Sequence, residues 1–175
     1  MGTLKKKLKV LLEQNMSLCA YHLPLDAHVE FGNNWQAAKA LGWTSLEPFG
    51  YYQGTPIGVK GSFTPCSRQE FQKRLEDFYK VSAHTAPGGP ATVRSAALVS
   101  GGAHKLIYEA KASGVDCYVT GSFDEPIWHA AFEEQINFFA LGHAATEKIG
   151  VELLGKQLAT HFNLQHTFLD EPNPF

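Results

Sequence analysis

The feature that most restricts the fold is the regular alternation of residues 93–169, where short apolar runs end in glycine or polar turns and give way to helix-forming stretches. The spacing predicts a strand over Val93 to Val99, a helix over His104 to Ser113, a strand over Asp116 to Thr120 and a helix over Pro126 to Gln135. It continues with a strand over Asn137 to Leu141, a helix over Ala144 to Phe162 and a strand over Gln165 to Leu169. Strands joined through single helices by short links run parallel, because the crossover has to return the chain to the same sheet. The expectation is an α/β fold, a three-layer α/β sandwich with a mixed, largely parallel sheet. At 175 residues, 44% of them hydrophobic, the chain can bury one sizeable core.

The first half is less regular. Leu4, Leu8, Leu11 and Leu12 recur at helical spacing among lysines, which predicts an amphipathic helix over residues 3 to 14 with one buried stripe. Met16 to Tyr21 suits a strand, and Pro24 is expected to hold the next segment out of a helix, so that His22, Asp26 and His28 lie at a strand end. Gly32-Asn33-Asn34 reads as an N-cap for a helix over Trp35 to Leu41, closed by Gly42. Trp43 to Thr64, rich in Gly, Pro and aromatics, reads as a small antiparallel element. Ser67 and Glu70 form a capping-box pattern for a helix over residues 67 to 80, and His84 to Ala91 reads as a loop. Together residues 44–90 suggest an inserted sub-lobe.

Several function classes fall away on charge and patterning. A net charge of −2 offers no basic field for a nucleic-acid backbone, so no nucleic-acid partner is expected. The apolar runs are too short and interrupted for a membrane span or a signal peptide, which predicts a cytoplasmic protein. Cys19, Cys66 and Cys117 are scattered and odd in number, forming neither a disulfide frame nor a zinc pattern, so reduced thiols are expected.

The chemistry-bearing residues gather where strands are predicted to end. His143 and Glu147, four apart, would share a helix face just after Gly142, close enough for an imidazole and a carboxylate to meet at one metal ion. Taken alone the spacing more often marks a solvated or hydrogen-bonded pair. Ser100-Gly101-Gly102 opens a helix and could hold a phosphate on its free amides, although it is neither a dinucleotide fingerprint nor a P-loop. His129, after Pro126, is either a proton-transfer group or a residue packed beside Trp128 and Phe132. Turns following parallel strands share one rim of the sheet, where ligands bind in open α/β folds.

Five ordered motifs then carry a resemblance: Tyr21 to Asp26 with Gly32-Asn33-Asn34, the Ser100-Gly101-Gly102 turn, Thr120-Gly121 with His129, Gly142-His143-x-x-Thr146-Glu147, and the tail Asn173-Pro174. Together they resemble the YbgI-like dinuclear metal-centre family, the GTP cyclohydrolase 1 type 2 homologues, over nearly the whole chain. The resemblance implies that Asp26, His143 and Glu147 are metal ligands, Glu147 reaching both metals, with His22 beside the site and hexameric rings as the assembly. It also implies an adjacent His-His ligand pair upstream; this sequence contains none, and it looks like a member lacking its N-terminal portion. Ser122 stands where close relatives often have an acidic residue, and Ala144 where they have a second His. With three protein ligands, one divalent ion or none is expected, its identity open among Zn, Mn, Fe and Ni. The expected activity is metal-dependent hydrolysis of a small-molecule substrate such as a nucleotide, with His22 or His129 moving protons. The rival expectation is a non-catalytic ring-forming scaffold with a vestigial site.

Overall fold

The computed structural model describes residues 2–173. Its helices are α1 (Thr3–Glu13), α2 (Leu23–Asp26), α3 (Asn33–Ala40), α4 (Arg68–Tyr79), α5 (Ile107–Ala112), α6 (Glu125–Glu133), α7 (His143–Thr146) and α8 (Lys148–Phe162). Its strands are β1 (Thr44–Tyr52), β2 (Thr55–Ser67), β3 (His84–Pro87), β4 (Thr92–Val99), β5 (Cys117–Thr120) and β6 (Asn137–Ala140). The strands form one sheet in the order β1-β2-β4-β5-β6-β3. β4, β5 and β6 run parallel, while β1 with β2, β2 with β4 and β3 with β6 pair antiparallel. Residues 44–90 thus supply β1, β2, α4 and β3 to the same sheet and its flanking layer.

Side-chain alternation along the strands divides the core in two. Val59, Ala96, Leu98, Val119 and Phe139 face one side, against Ala37 and Ala38 of α3 and Phe71 and Leu75 of α4. Ala97, Val99, Tyr118, Phe138 and Ala140 face the other, against Ile107 and Ala110 of α5 and Ile127 and Ala131 of α6. This is the three-layer α/β arrangement expected from the alternation after residue 92. The α4 cap is also as expected, with the Ser67 hydroxyl accepting the Glu70 amide at 3.1 Å.

The departures are local and have identifiable causes. α1 is a helix, yet its leucine stripe is not buried: Leu4, Leu8 and Leu12 are exposed and no residue of the helix is buried. Residues 16–21 form no strand: the sheet takes its six strands from residues 44–140, and these residues pair with none of them. Pro24 does not exclude a helix; it sits in the first turn of α2, where its missing N–H is not needed. His84–Pro87, expected as loop, is an edge strand, the position in a sheet that tolerates a proline. The helix expected from Ala144 breaks at Glu147 into α7 and α8. Residues 165–169 add no strand: His166 lies against Gly155 of α8, and Asp170 Oδ1 pairs with Lys148 Nζ at 2.6 Å. Pro174 of the expected tail motif lies outside the described residues.

The three thiols are free, with Cys19 exposed and Cys66 and Cys117 buried. Burial pushes both core thiols above their ordinary pKa and so suppresses the reactive thiolate. A disulfide-exchange reagent at neutral pH is therefore expected to titrate about one thiol rapidly in the folded protein and all three only after unfolding. Rapid reaction of more than one thiol in the folded chain contradicts this packing. No helix among the described residues is long and apolar enough to cross a membrane.

Candidate functional site

The site is built on the rim where β4, β5 and β6 end. Beyond the strands the backbone stays paired: Gly121 N donates to Gly101 O at 3.0 Å and Gly142 N to Gly121 O at 2.8 Å. The Thr146 hydroxyl ties this rim to α7, accepting the Gly101 amide at 3.0 Å and lying 3.0 Å from the carbonyls of Gly142 and His143. The turn after β4 is thereby fixed to the residues that carry His143 and Glu147.

His143 Nε2 lies 3.2 Å from Glu147 Oε1, so the two side chains meet although the helix breaks between them. Their approach depends on Gly101. It has φ +68°, and a Cβ there would overlap Glu147 Oε1 and lie 3.0 Å from His143 Nε2. Only glycine combines that backbone conformation with that clearance.

Asp26, 7% exposed, is held from the opposite side. Its Oδ1 accepts Asn33 Nδ2 at 2.7 Å and the Ser100 hydroxyl at 3.3 Å. Asn33 Oδ1 in turn accepts the Gly150 amide of α8 at 2.7 Å. Asn34, wholly buried, donates to the carbonyls of Ile57 (2.6 Å) and Asp26 (3.3 Å) and accepts the Ser100 amide at 2.7 Å. The helix α3 is capped by Gly32 without a side-chain bond, so the asparagines do not cap it. Instead they join α2, β2, the β4 turn and α8 around Asp26, a role the cap-like sequence pattern concealed. An Asn-Asn pair leading a helix whose next turn is apolar is the signal that was present.

His22, Asp26, Ser100, Gly102, His143 and Glu147 line one cavity of about 580 Å³. Its other walls include Tyr51, Tyr52, His104 and Lys105, none of which the sequence had singled out as site residues. Gly101, itself buried and absent from this lining, lies against Glu147. His129 is exposed on α6 and belongs to none of this lining. Burial pushes the Glu147 carboxyl above its ordinary pKa; His143 draws it down, Asp26 pushes it up, and His22 draws it down. Two carboxylates, Asp26 and Glu147, thus line one cavity together with the imidazoles of His22 and His143. Among the described residues no group of three or more His, Cys, Asp or Glu side chains is gathered closely enough to hold a metal ion. The donor chemistry and the Gly101 clearance suit a metal; the drawn-together set is the His143–Glu147 pair, with Asp26 within electrostatic reach.

The model of the Duf34/NIF3 (NGG1p interacting factor 3) family matches residues 1–174. The chain belongs to the Duf34/NIF3 family. The GTP cyclohydrolase 1 type 2 homolog of Chlamydia pneumoniae is 47% identical over 176 residues, covering 99% of this chain and 69% of that protein. The homolog of the same description from Yersinia pestis is 40% identical, with the same coverage. A solved structure described as protein ybgI, of unknown function, superposes with a TM-score of 0.90 at 34% identity over 100% of this chain and 70% of that one. A solved protein from Thermus thermophilus also gives a TM-score of 0.90, at 31% identity, over 100% and 69% of the two chains. The family expected from the five motifs is the family found.

Proposed function

We propose that the chain binds a divalent metal ion through Asp26, His143 and Glu147 and is a metal-dependent hydrolase acting on a nucleotide or related heterocycle. The observation that carries this reading is the convergence of His143 and Glu147 at 3.2 Å beside Gly101, where a side chain would overlap the Glu147 carboxylate and crowd His143, in a cavity that Asp26 also lines. The GTP cyclohydrolase 1 type 2 label of relatives 40–47% identical supports the substrate class. A divalent ion bound there supplies Lewis acidity and lowers the pKa of coordinated water toward neutrality. Zn, Mn, Fe and Ni all suit an imidazole-carboxylate donor set.

The chain's own residues divide the remaining work. Asn33 and Ser100 fix Oδ1 of Asp26, which orients the carboxylate toward the cavity. Thr146 fixes the turn carrying Gly101, and with it the space that the Glu147 carboxylate occupies. His22, at the cavity wall, would move a proton; His129 is exposed on α6 and is not among the residues lining the cavity. The apolar walls formed by Ile57, Val99 and Leu106 exclude water from one side of the ligand. Association into a homo-oligomeric ring in the cytoplasm belongs to the same proposal, supported by exposed Leu4, Val10 and Leu12 on α1 and Val151 and Phe162 on α8.

The absence of a ready group of three ligands among the described residues favours a second reading, a non-catalytic scaffold with a vestigial site. Turnover separates the two. GTP incubated with the protein and Mn, Zn, Fe or Ni is expected to be hydrolysed, and the activity to disappear with His143→Ala. Metal bound without turnover of GTP or other purine nucleotides favours the scaffold.

A further inference from the structure

Outside the proposed ligands, the least satisfied polar group along the cavity is His104. The residue lines the cavity, yet both ring nitrogens are shut off from water and neither has a hydrogen-bond partner. Such an imidazole is costly to leave without a bond and calls for a specific explanation. The nearest charged group is Asp124, whose Oδ2 lies 3.5 Å from Nε2. Asp124 is not free to drift, because its Oδ1 accepts the Glu125 amide at 2.9 Å as the cap of α6. The backbone just before His104 is pinned as well, with the Tyr118 hydroxyl donating to Ala103 O at 2.7 Å. Lys105 lines the cavity beside it.

We infer that His104, backed by Asp124, binds an anionic oxygen of the cavity's occupant, a phosphate or a carboxylate, with Lys105 as the neighbouring cation. The inference rests on the nucleotide-type reading of the same cavity and adds the residue that takes the anionic group. Asp124 faces Nε2, so Nε2 carries a proton in the bound state, and Nδ1 is the atom left for the ligand. An anion accepts from Nδ1 only if that nitrogen is protonated too, so the bound imidazole carries both protons. The ionisable groups sharing this environment are Asp124 on α6, Lys105 beside it, and His22, Asp26, Tyr51, Tyr52, His143 and Glu147 around the cavity. The ring has to turn slightly to present Nδ1, which its shallow position in the wall allows, the side chain being 20% exposed.

Nitrogen-detected NMR on histidine-labelled protein stripped of metal with EDTA tests this directly, His104 being assigned by its disappearance in His104→Gln. The protein is titrated with inorganic phosphate and, separately, with guanosine monophosphate. The His104 ring nitrogens are expected to shift saturably and both to be protonated in the bound form. Asp124→Asn, which keeps the α6 cap because Asn caps as well as Asp, is expected to weaken binding by at least about tenfold. A response to phosphate alone makes this a free-anion site, and a response to the nucleotide alone makes it the phosphate subsite of a larger ligand; both uphold the assignment. His104 nitrogens unmoved by either probe, or Asp124→Asn binding as tightly as wild type, overturns it. With metal absent throughout, this result stands or falls separately from the metal reading.

Discussion

Asn34→Ala is expected to lower the unfolding free energy by about 3–5 kcal/mol, an effect more typical of a large core truncation than of a polar substitution. The Asn34 side chain is wholly buried and bonds the Ser100 amide and the carbonyls of Ile57 and Asp26. Alanine leaves these backbone groups without partners where water does not reach, at about 1–3 kcal/mol each, less some relaxation. Asn34→Asp is expected to be no milder, because it retains the acceptor for the Ser100 amide, loses the bonds donated to the Asp26 and Ile57 carbonyls and buries a charge. Urea unfolding with an unchanged denaturant slope measures the loss. A decrease below about 1 kcal/mol for Asn34→Ala means that water or backbone rearrangement replaces those bonds, and that the asparagine does not hold Asp26 and Ser100 in place.

Gly101→Ala is expected to weaken divalent-metal binding by about 100-fold, the upper range for changes in groups that orient ligands. The added methyl would overlap Glu147 Oε1 and stand 3.0 Å from His143 Nε2 on a backbone at φ +68°, so the Glu147 carboxylate has to move away and His143 has to give by a few tenths of an ångström. The strained backbone also lowers stability, by about 1–3 kcal/mol, which leaves a folded protein to titrate. Gly102→Ala is the matched control: its methyl meets His143 Cε1 at an ordinary 3.6 Å and is expected to bind metal nearly as wild type does. Competition against a chromogenic chelator reports both. Equal affinities for the two variants remove Gly101 from the explanation of the site.

What the sequence made legible follows a physical division. From Thr92 to Ala140 each strand is short, apolar and closed by a turn, and each helix has one apolar face, so local pattern and tertiary placement agree. Ser67 announced its cap because that bond is local. Where the outcome depended on a distant partner, local pattern failed. Residues 16–21 have strand composition yet pair with no strand of the sheet, whereas His84–Pro87 looks like a loop and pairs with β6 along the sheet edge. The leucines of α1 promised a buried stripe, and Leu4, Leu8 and Leu12 stay exposed. In the site, the spacing of His143 and Glu147 indicated their meeting, and the turn glycines indicated the rim. Asn33 and Asn34 were hidden because bonds across 66 and 117 positions of sequence leave no local trace. His104 and Lys105 were read only as part of a helix start, since nothing in the sequence shows which wall a side chain faces.

The most direct measurement is elemental analysis of the purified chain, reconstituted with excess divalent metal and desalted, beside its Glu147→Gln variant. If Asp26, His143 and Glu147 hold one ion, the wild type retains about one equivalent per chain and the variant less than about a tenth of that, because the carboxylate is both a ligand and a large part of the compensating charge. About two equivalents in the wild type, full retention by Glu147→Gln, or no metal in either protein contradicts that assignment.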